Sequence, residues 1–183
     1  MVAYANIVAQ LEKRMDKRTI RTRTAISRAY SQCCINNPGV TPTVTQICKQ
    51  ADVNKTTFYR NYSDIMDVHY RIIDYIARHV IIDEDPLLML KNPREQFVKI
   101  KAQIDKLERD DLMFLKLFEA DIAMATEKMI RQKYKEIYGR ADDLTLDFIF
   151  GAIERAFIHA FDSTEQTEKL IQFVEAIAPF CLA

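Results

Sequence analysis

The stretch Thr43–Asp64, TVTQICKQADVNKTTFYRNYSD, constrains this chain more than any other. Thr43 followed three residues on by Gln46 spells a capping box, in which hydroxyl and amide satisfy the donors of a helix start reciprocally. Val44, Ile47, Cys48 and Ala51 then recur at helical spacing as a short apolar stripe. Asp52 and Val53 break the pattern, and Asn54 supplies a second cap, for a helix over Lys55–Tyr62. In that helix Phe58 and Tyr62 fall at i, i+4 and can turn inward together. Lys55, Thr56, Thr57, Tyr59, Arg60 and Asn61 are left as a polar, partly basic outer surface. Two short capped helices around a tight turn read as a helix-turn-helix. Its second helix can offer donors to phosphates and side chains to base edges in a major groove.

The rest of the chain reads as helix too. Three Gly and five Pro in 183 residues leave room for few tight turns, so the expected fold class is all-α. A hydrophobic content of 49% with 28% charged residues is ordinary for a soluble globular protein, and the length suffices for one or two modest cores. No run approaches the ~20 apolar residues that span a bilayer. In MVAYANIVAQLEKR the basic residues follow the apolar ones, the reverse of a secretory signal. Cys33 and Cys34 are adjacent while Cys48 and Cys181 stand alone, a spacing that suits neither a metal nor a redox pair. The expectation is a reduced, cytoplasmic protein without a membrane partner.

A formal net charge of zero conceals an asymmetry. Residues 1–80 hold 12 Lys and Arg against 6 Asp and Glu, whereas residues 81–183 hold 14 against 20. The basic half is the one that contains the helix-turn-helix, as in a DNA-binding head on an acidic body. Chance segregation of solvated charges would give the same count.

Ahead of the motif, Tyr4, Ile7, Val8, Leu11 and Met15 are spaced for an amphipathic extension over residues 1–16, packed or frayed. Lys13, Arg14, Lys17, Arg18, Arg21 and Arg23 form a basic cluster around the start of a first helix. That helix runs from Lys17 to Asn36, buries Ile26, Ala29, Tyr30 and Cys33, and stops at Asn37-Pro38-Gly39. Ser63 caps a fourth helix through Ile65, Met66, Val68, Ile72, Ile73, Ile76 and Val80, ended by Asp83-Glu84-Asp85-Pro86. Pro93 suits the first turn of a helix carrying Phe97, Ile100, Ile104 and Leu107. Further helices are expected from Asp110 to Gly139, over Asp142–Phe161, and from Ser163–Glu165 to Pro179. The domains expected are thus the extension 1–16, a three-helix DNA-binding domain 17–65 and a helical body 66–183.

The run Ala51-x-Val53-Asn54-x-Thr56-Thr57-Phe58-Tyr59-Arg60-Asn61-Tyr62 resembles the helix-turn-helix of TetR-family transcriptional regulators. TVTQI before it and Ile26-x-x-Ala29-Tyr30-x-x-Cys33 upstream extend the likeness over roughly residues 21–68. Where the family's turn carries Gly this chain has Asp52, and where its fourth helix opens with Lys this chain has Ile65. The resemblance implies that Thr57 and Tyr59 touch bases or backbone, with Lys55, Thr56, Arg60 and Asn61 on the same face. Thr43, at a helix start, can offer its hydroxyl or N–H to a phosphate. It also implies a homodimer on a near-palindromic double-stranded site, its last two long helices paired with their twins; Gly151, Ala152, Ala156 and Ala160 would permit that close approach. A small-molecule effector would bind the ligand-binding and dimerisation domain and release DNA, making the protein a repressor. Phe97, Met113, Phe114, Leu117, Phe118, Met124, Tyr134 and Phe148 could line such an effector pocket, and serve equally well as core.

Enzyme chemistry has no foothold in the sequence. His69, His79 and His159 lie far apart, and no HExxH, Gly-rich phosphate loop, Gly-x-Ser-x-Gly or CxxC occurs. No catalytic residue, metal or cofactor is expected. Two alternatives to a repressor stay open: the same fold as an activator or working through a protein partner, and an all-helical interaction protein without DNA. Salt dependence separates the last from the others, because DNA binding weakens steeply as counterions are released.

Overall fold

The computed structural model describes residues 16–81, 88–139, 147, 151 and 164–182. Within them every regular element is helical, and no strand occurs. The elements are α1 (Lys17–Asn36), α2 (Val44–Ala51), α3 (Lys55–Asn61), α4 (Ile65–Ile76), α5 (Leu88–Lys91), α6 (Pro93–Ile104), α7 (Arg109–Leu117), α8 (Glu119–Tyr138) and α9 (Thr164–Leu182). Most of the expected extension 1–16, the stop at 83–86 and nearly all of the helix expected over 142–161, with Phe148 and His159, lie outside the described residues. The chain divides into two compact units, Met1–Asp74 with Lys106–Phe118, and Tyr75–Asp105 with Glu119–Ala183.

The first unit is built on α1 to α4 and α7. Ile26 of α1, Ile47 of α2, Phe58 of α3 and Val68 of α4 are all fully buried, so each of these four helices contributes at least one sealed residue to the core. The expected first helix is observed with the bounds Lys17–Asn36. Ile26, Ala29 and Tyr30 are buried as expected, but Cys34 lies inside while Cys33 is half-exposed. Ser27 and Ser31 are buried as well, so the inward face runs through Ser27, Ser31 and Cys34 and includes small polar residues that an apolar stripe does not reveal.

The start of α4 also differs from expectation. Asp64, rather than Ser63, is the cap: its carboxylate accepts from the N–H of Asp67 at 2.8 Å, and Asp67 in turn accepts from the N–H of Ser63 at 3.0 Å. A carboxylate is favoured there over a hydroxyl because it also meets the positive end of the helix dipole. Beyond Ile76 the helix widens into a π turn over Ala77–Ile81 instead of continuing as α-helix to Val80.

In the second unit α6 begins as expected, with Pro93 in its first turn and Phe97 and Ile100 buried. It stops at Ile104, which leaves Leu107 half-exposed in the turn beyond. The stretch expected to form one helix from Asp110 to Gly139 is two, parted at Phe118 where the backbone leaves helical dihedrals. The last helix runs through Pro179 to Leu182. Pro179 has no N–H to offer the carbonyl of Glu175, so the ladder lacks one bond there while the helix continues for three more residues. Arg94 fixes α6 to α9: its guanidinium donates to Glu168 at 2.8 and 3.0 Å and to Glu175 at 3.2 Å, two carboxylates seven residues apart on one face. Ile171 and Val174 are buried on α9.

Candidate nucleic-acid interface

The candidate interface is assembled by caps. At α2, Gln46 N–H donates to the Thr43 hydroxyl at 3.2 Å, while Gln46 Oε1 accepts from Thr43 N–H at 2.7 Å and from its hydroxyl at 2.8 Å. The capping box read from the sequence is therefore formed. At the other end Asp52 sits in the left-handed region, φ 52° and ψ 48°, where Asp is tolerated better than most side chains. The N–H of Val53 then closes onto the carbonyl of Cys48 at 3.0 Å. Asn54 Oδ1 accepts from Thr57 N–H at 2.7 Å and so starts α3.

The inner side of α3 is sealed by Phe58, fully buried, and by Tyr62, whose ring centroid lies 5.9 Å from that of Phe58. The Tyr62 hydroxyl reaches the buried Ser27 Oγ of α1 at 3.2 Å. Its ring carries the Arg71 guanidinium at 5.5 Å from the centroid, a cation–π contact. Arg71 meanwhile grips Asp67 through two bonds of 2.7 and 3.3 Å, and this partner holds the Asp67 carboxyl below the usual carboxylate range. Through these contacts α1 and α4 fix the direction in which α3 points.

On the outer side Lys55, Thr56, Tyr59 and Arg60 are exposed, Tyr59 to 56% of its surface. Thr57 and Asn61 are half-buried, and Asn61 donates its amide to the Thr57 carbonyl at 2.8 Å. At about 100° per residue, Thr56 and Arg60 stand roughly 160° from Phe58 and Tyr59 roughly 100°. The middle of the outward face is thus Thr56 and Arg60, with Tyr59 on its flank. Thr43 is exposed at the start of α2. Lys17, Arg18, Arg21 and Arg28 are exposed along α1, whereas Lys13 and Arg14 fall outside the described residues. Ile65 is half-exposed, and the first turn of α4 beside it holds the carboxylates of Asp64 and Asp67 rather than a cation.

The residues proposed for an effector pocket are distributed over both units. In the first, Phe114 is buried edge-on to Tyr30 at 6.4 Å and lies 4.8 Å from the ring of Phe118, while Met113 is 41% exposed and Leu117 half-exposed. In the second, Phe97 is buried, Tyr134 is buried 4.6 Å from the ring of Tyr138, and Met124 is 65% exposed. Phe148 lies outside the described residues.

Two features of the first unit escaped the sequence reading. His69, one of three scattered histidines, is buried: its Nδ1 lies 3.0 Å from the Tyr30 hydroxyl and its ring 4.9 Å from that of Phe118. Its place at i−4 and i−7 from Ile73 and Ile76, on the apolar side of α4, is the signal that could have found it. The second is a cleft of about 540 Å³ where the end of α1 meets α2, lined by Cys33, Val40, Lys49 and Gln50 among others. Burial pushes the Cys33 thiol up, away from the reactive thiolate.

Among the described residues no helix is long and apolar enough to cross a membrane. Comparisons with protein families, with curated proteins and with solved structures find no match for this chain.

Proposed function

We propose that this chain is a TetR-like transcriptional regulator that binds double-stranded DNA through α3, most simply as a repressor. The observation that supports it best is the division of α3 into two sides. Phe58 and Tyr62 anchor the inner side, and the Asn54 cap fixes the start of the helix without using its outer face. Lys55, Thr56, Tyr59 and Arg60 are left outward, none of them needed for the core. Phosphates would meet the basic residues of α1 and the start of α2 at Thr43, while base edges would meet α3.

A helix of seven residues reads few base pairs, so a homodimer on a near-palindromic site is part of the proposal. A small molecule held by the helical body would release the DNA by favouring one arrangement of the dimer over another. The test is fluorescence anisotropy with genomic DNA from around the protein's own gene and with unrelated DNA, at two salt concentrations. Tight, salt-sensitive binding that prefers the first fragment supports a sequence-reading regulator. Absence of binding at either salt would sink the proposal and favour a helical interaction protein.

A further inference from the structure

We infer that the operator half-site is read through guanine and through the thymine methyl group, with no amide-to-adenine contact. The inference rests on the DNA-binding reading above. Adenine is read by Asn or Gln, whose amide must accept from N6 and donate to N7 together. Three of the four such amides from α2 through α3, those of Gln46, Asn54 and Asn61, are engaged in hydrogen bonds. Gln46 Oε1 holds Thr43 at 2.7 and 2.8 Å, and Asn54 Oδ1 holds the Thr57 N–H at 2.7 Å. Asn61 Nδ2 donates to the Thr57 carbonyl at 2.8 Å. Gln50 lines the cleft against the end of α1, together with Asn36 and Asn37. Releasing Gln46 or Asn54 toward a base would undo the cap that starts the helix presenting it.

What stays outward has a different chemistry. Arg60, in the middle of the face, has no carboxylate partner among the described residues, and its guanidinium fork matches guanine O6 and N7. The Thr56 methyl and the Tyr59 ring are apolar surfaces of the kind that pack on the thymine C5 methyl. The Tyr59 ring is already oriented by an edge contact with buried Phe58, 5.4 Å between centroids.

The test begins with duplexes selected by the full chain from a random-sequence library. Single-position analogues of the selected site are then compared by anisotropy. Deoxyuridine removes the thymine methyl; 7-deazaguanine and 7-deazaadenine remove the N7 acceptor of each purine. At least one uracil position in each half-site should weaken binding by roughly fourfold, the worth of one buried methyl, and at least one 7-deazaguanine position by roughly 5- to 150-fold. The 7-deazaadenine positions should not. Arg60→Ala should abolish the 7-deazaguanine effect with the helical circular dichroism unchanged. Arg60→Gln, which supplies an unengaged amide at that position, should move the preference there from guanine toward adenine. A 7-deazaadenine loss as large as the guanine one overturns the inference, and so does a site indifferent to uracil and 7-deazaguanine. Binding without any sequence enrichment also overturns it, but leaves a phosphate-binding head. Failure to bind any duplex removes the DNA-binding reading itself.

Discussion

The bond between Ser27 Oγ and the Tyr62 hydroxyl, 3.2 Å long, ties α1 to the end of the outward-facing helix. Both residues are buried, at 2% and 4% exposure, so each hydroxyl depends on protein partners rather than on water. Tyr62→Phe removes only the hydroxyl. The ring keeps its place beside Phe58 and beneath Arg71. Stranding one buried partner costs about 1–3 kcal/mol, whereas the net worth of a neutral bond is only about 1 kcal/mol. Ser27 can soften its own loss by bonding back along α1. We therefore expect Tyr62→Phe and Ser27→Ala each to cost roughly 1–2 kcal/mol, and the double variant to cost about 1 kcal/mol less than their sum. The assay is native-state hydrogen exchange at the amides of Ile47 and Phe58, which are bonded at 3.0 Å to Thr43 and Asn54 and report opening of the unit that contains them. A loss of 1 kcal/mol speeds exchange about fivefold. Strict additivity of the two single variants would refute the reasoning, because it would mean that the hydroxyls do not share a bond.

Tyr59→Ala should weaken specific DNA binding by about 1–3 kcal/mol while far-ultraviolet circular dichroism stays unchanged; lost helicity would show that the ring is structural. Asp52→Gly, at φ 52°, should leave stability equal or higher by up to about 1 kcal/mol, and Asp52→Val should lower it by about 1 kcal/mol or more; equal melting temperatures for the Gly and Val variants would count against the left-handed turn. The Arg71 partner lowers the Asp67 carboxyl in the folded state, so its contribution is present above the ordinary carboxylate value of about 3.9 and is lost as pH falls through the lower folded value. Asp67→Asn should then destabilise at neutral pH by about 0.3–1 kcal/mol, and the gap from the parent should close in acid; a gap that holds at every pH would contradict this.

Local signals were the legible ones. Thr43, Gln46 and Asn54 act within three residues of themselves, and their bonds are where the spacing puts them. Phe58 and Tyr62 are inward, and α1 has its expected bounds. The departures are of two physical kinds. Some are polar residues doing core duty: Ser27 and Ser31 share the buried side of α1 with Cys34, and His69, which spacing marks only as one of three scattered histidines, meets Tyr30 inside the unit. Others arise from contacts distant in sequence. Nothing near Phe114 and Phe118 announces that residues 106–118 belong with Tyr30 and His69, because that choice is made by packing rather than by spacing. The outward residues Lys55, Thr56, Tyr59 and Arg60 were legible as exposed, yet the engagement of Asn61 with the Thr57 carbonyl was not, since an Asn in a helix can face either way.

A helix as short as α3 is unstable alone, because nucleation is unfavourable and too few bonds follow to repay it. Its stability must come from outside its own ladder, and the sources are visible. Asn54 satisfies a donor at one end, Phe58 fills the core in the middle, and Tyr62 closes the other end through Ser27 and Arg71. These three positions, four residues apart, lie along one side. The opposite side holds Thr56 and Arg60, also four apart, and no core contact depends on them. The same periodicity that makes one side structural makes the other dispensable for folding. Residues on the outer side can then be exchanged for others of similar helical propensity within about 0.5 kcal/mol of stability, whereas any change at Asn54, Phe58 or Tyr62 acts on the helix as a whole. A surface whose chemistry can vary while its direction is held is what sequence reading in a major groove requires.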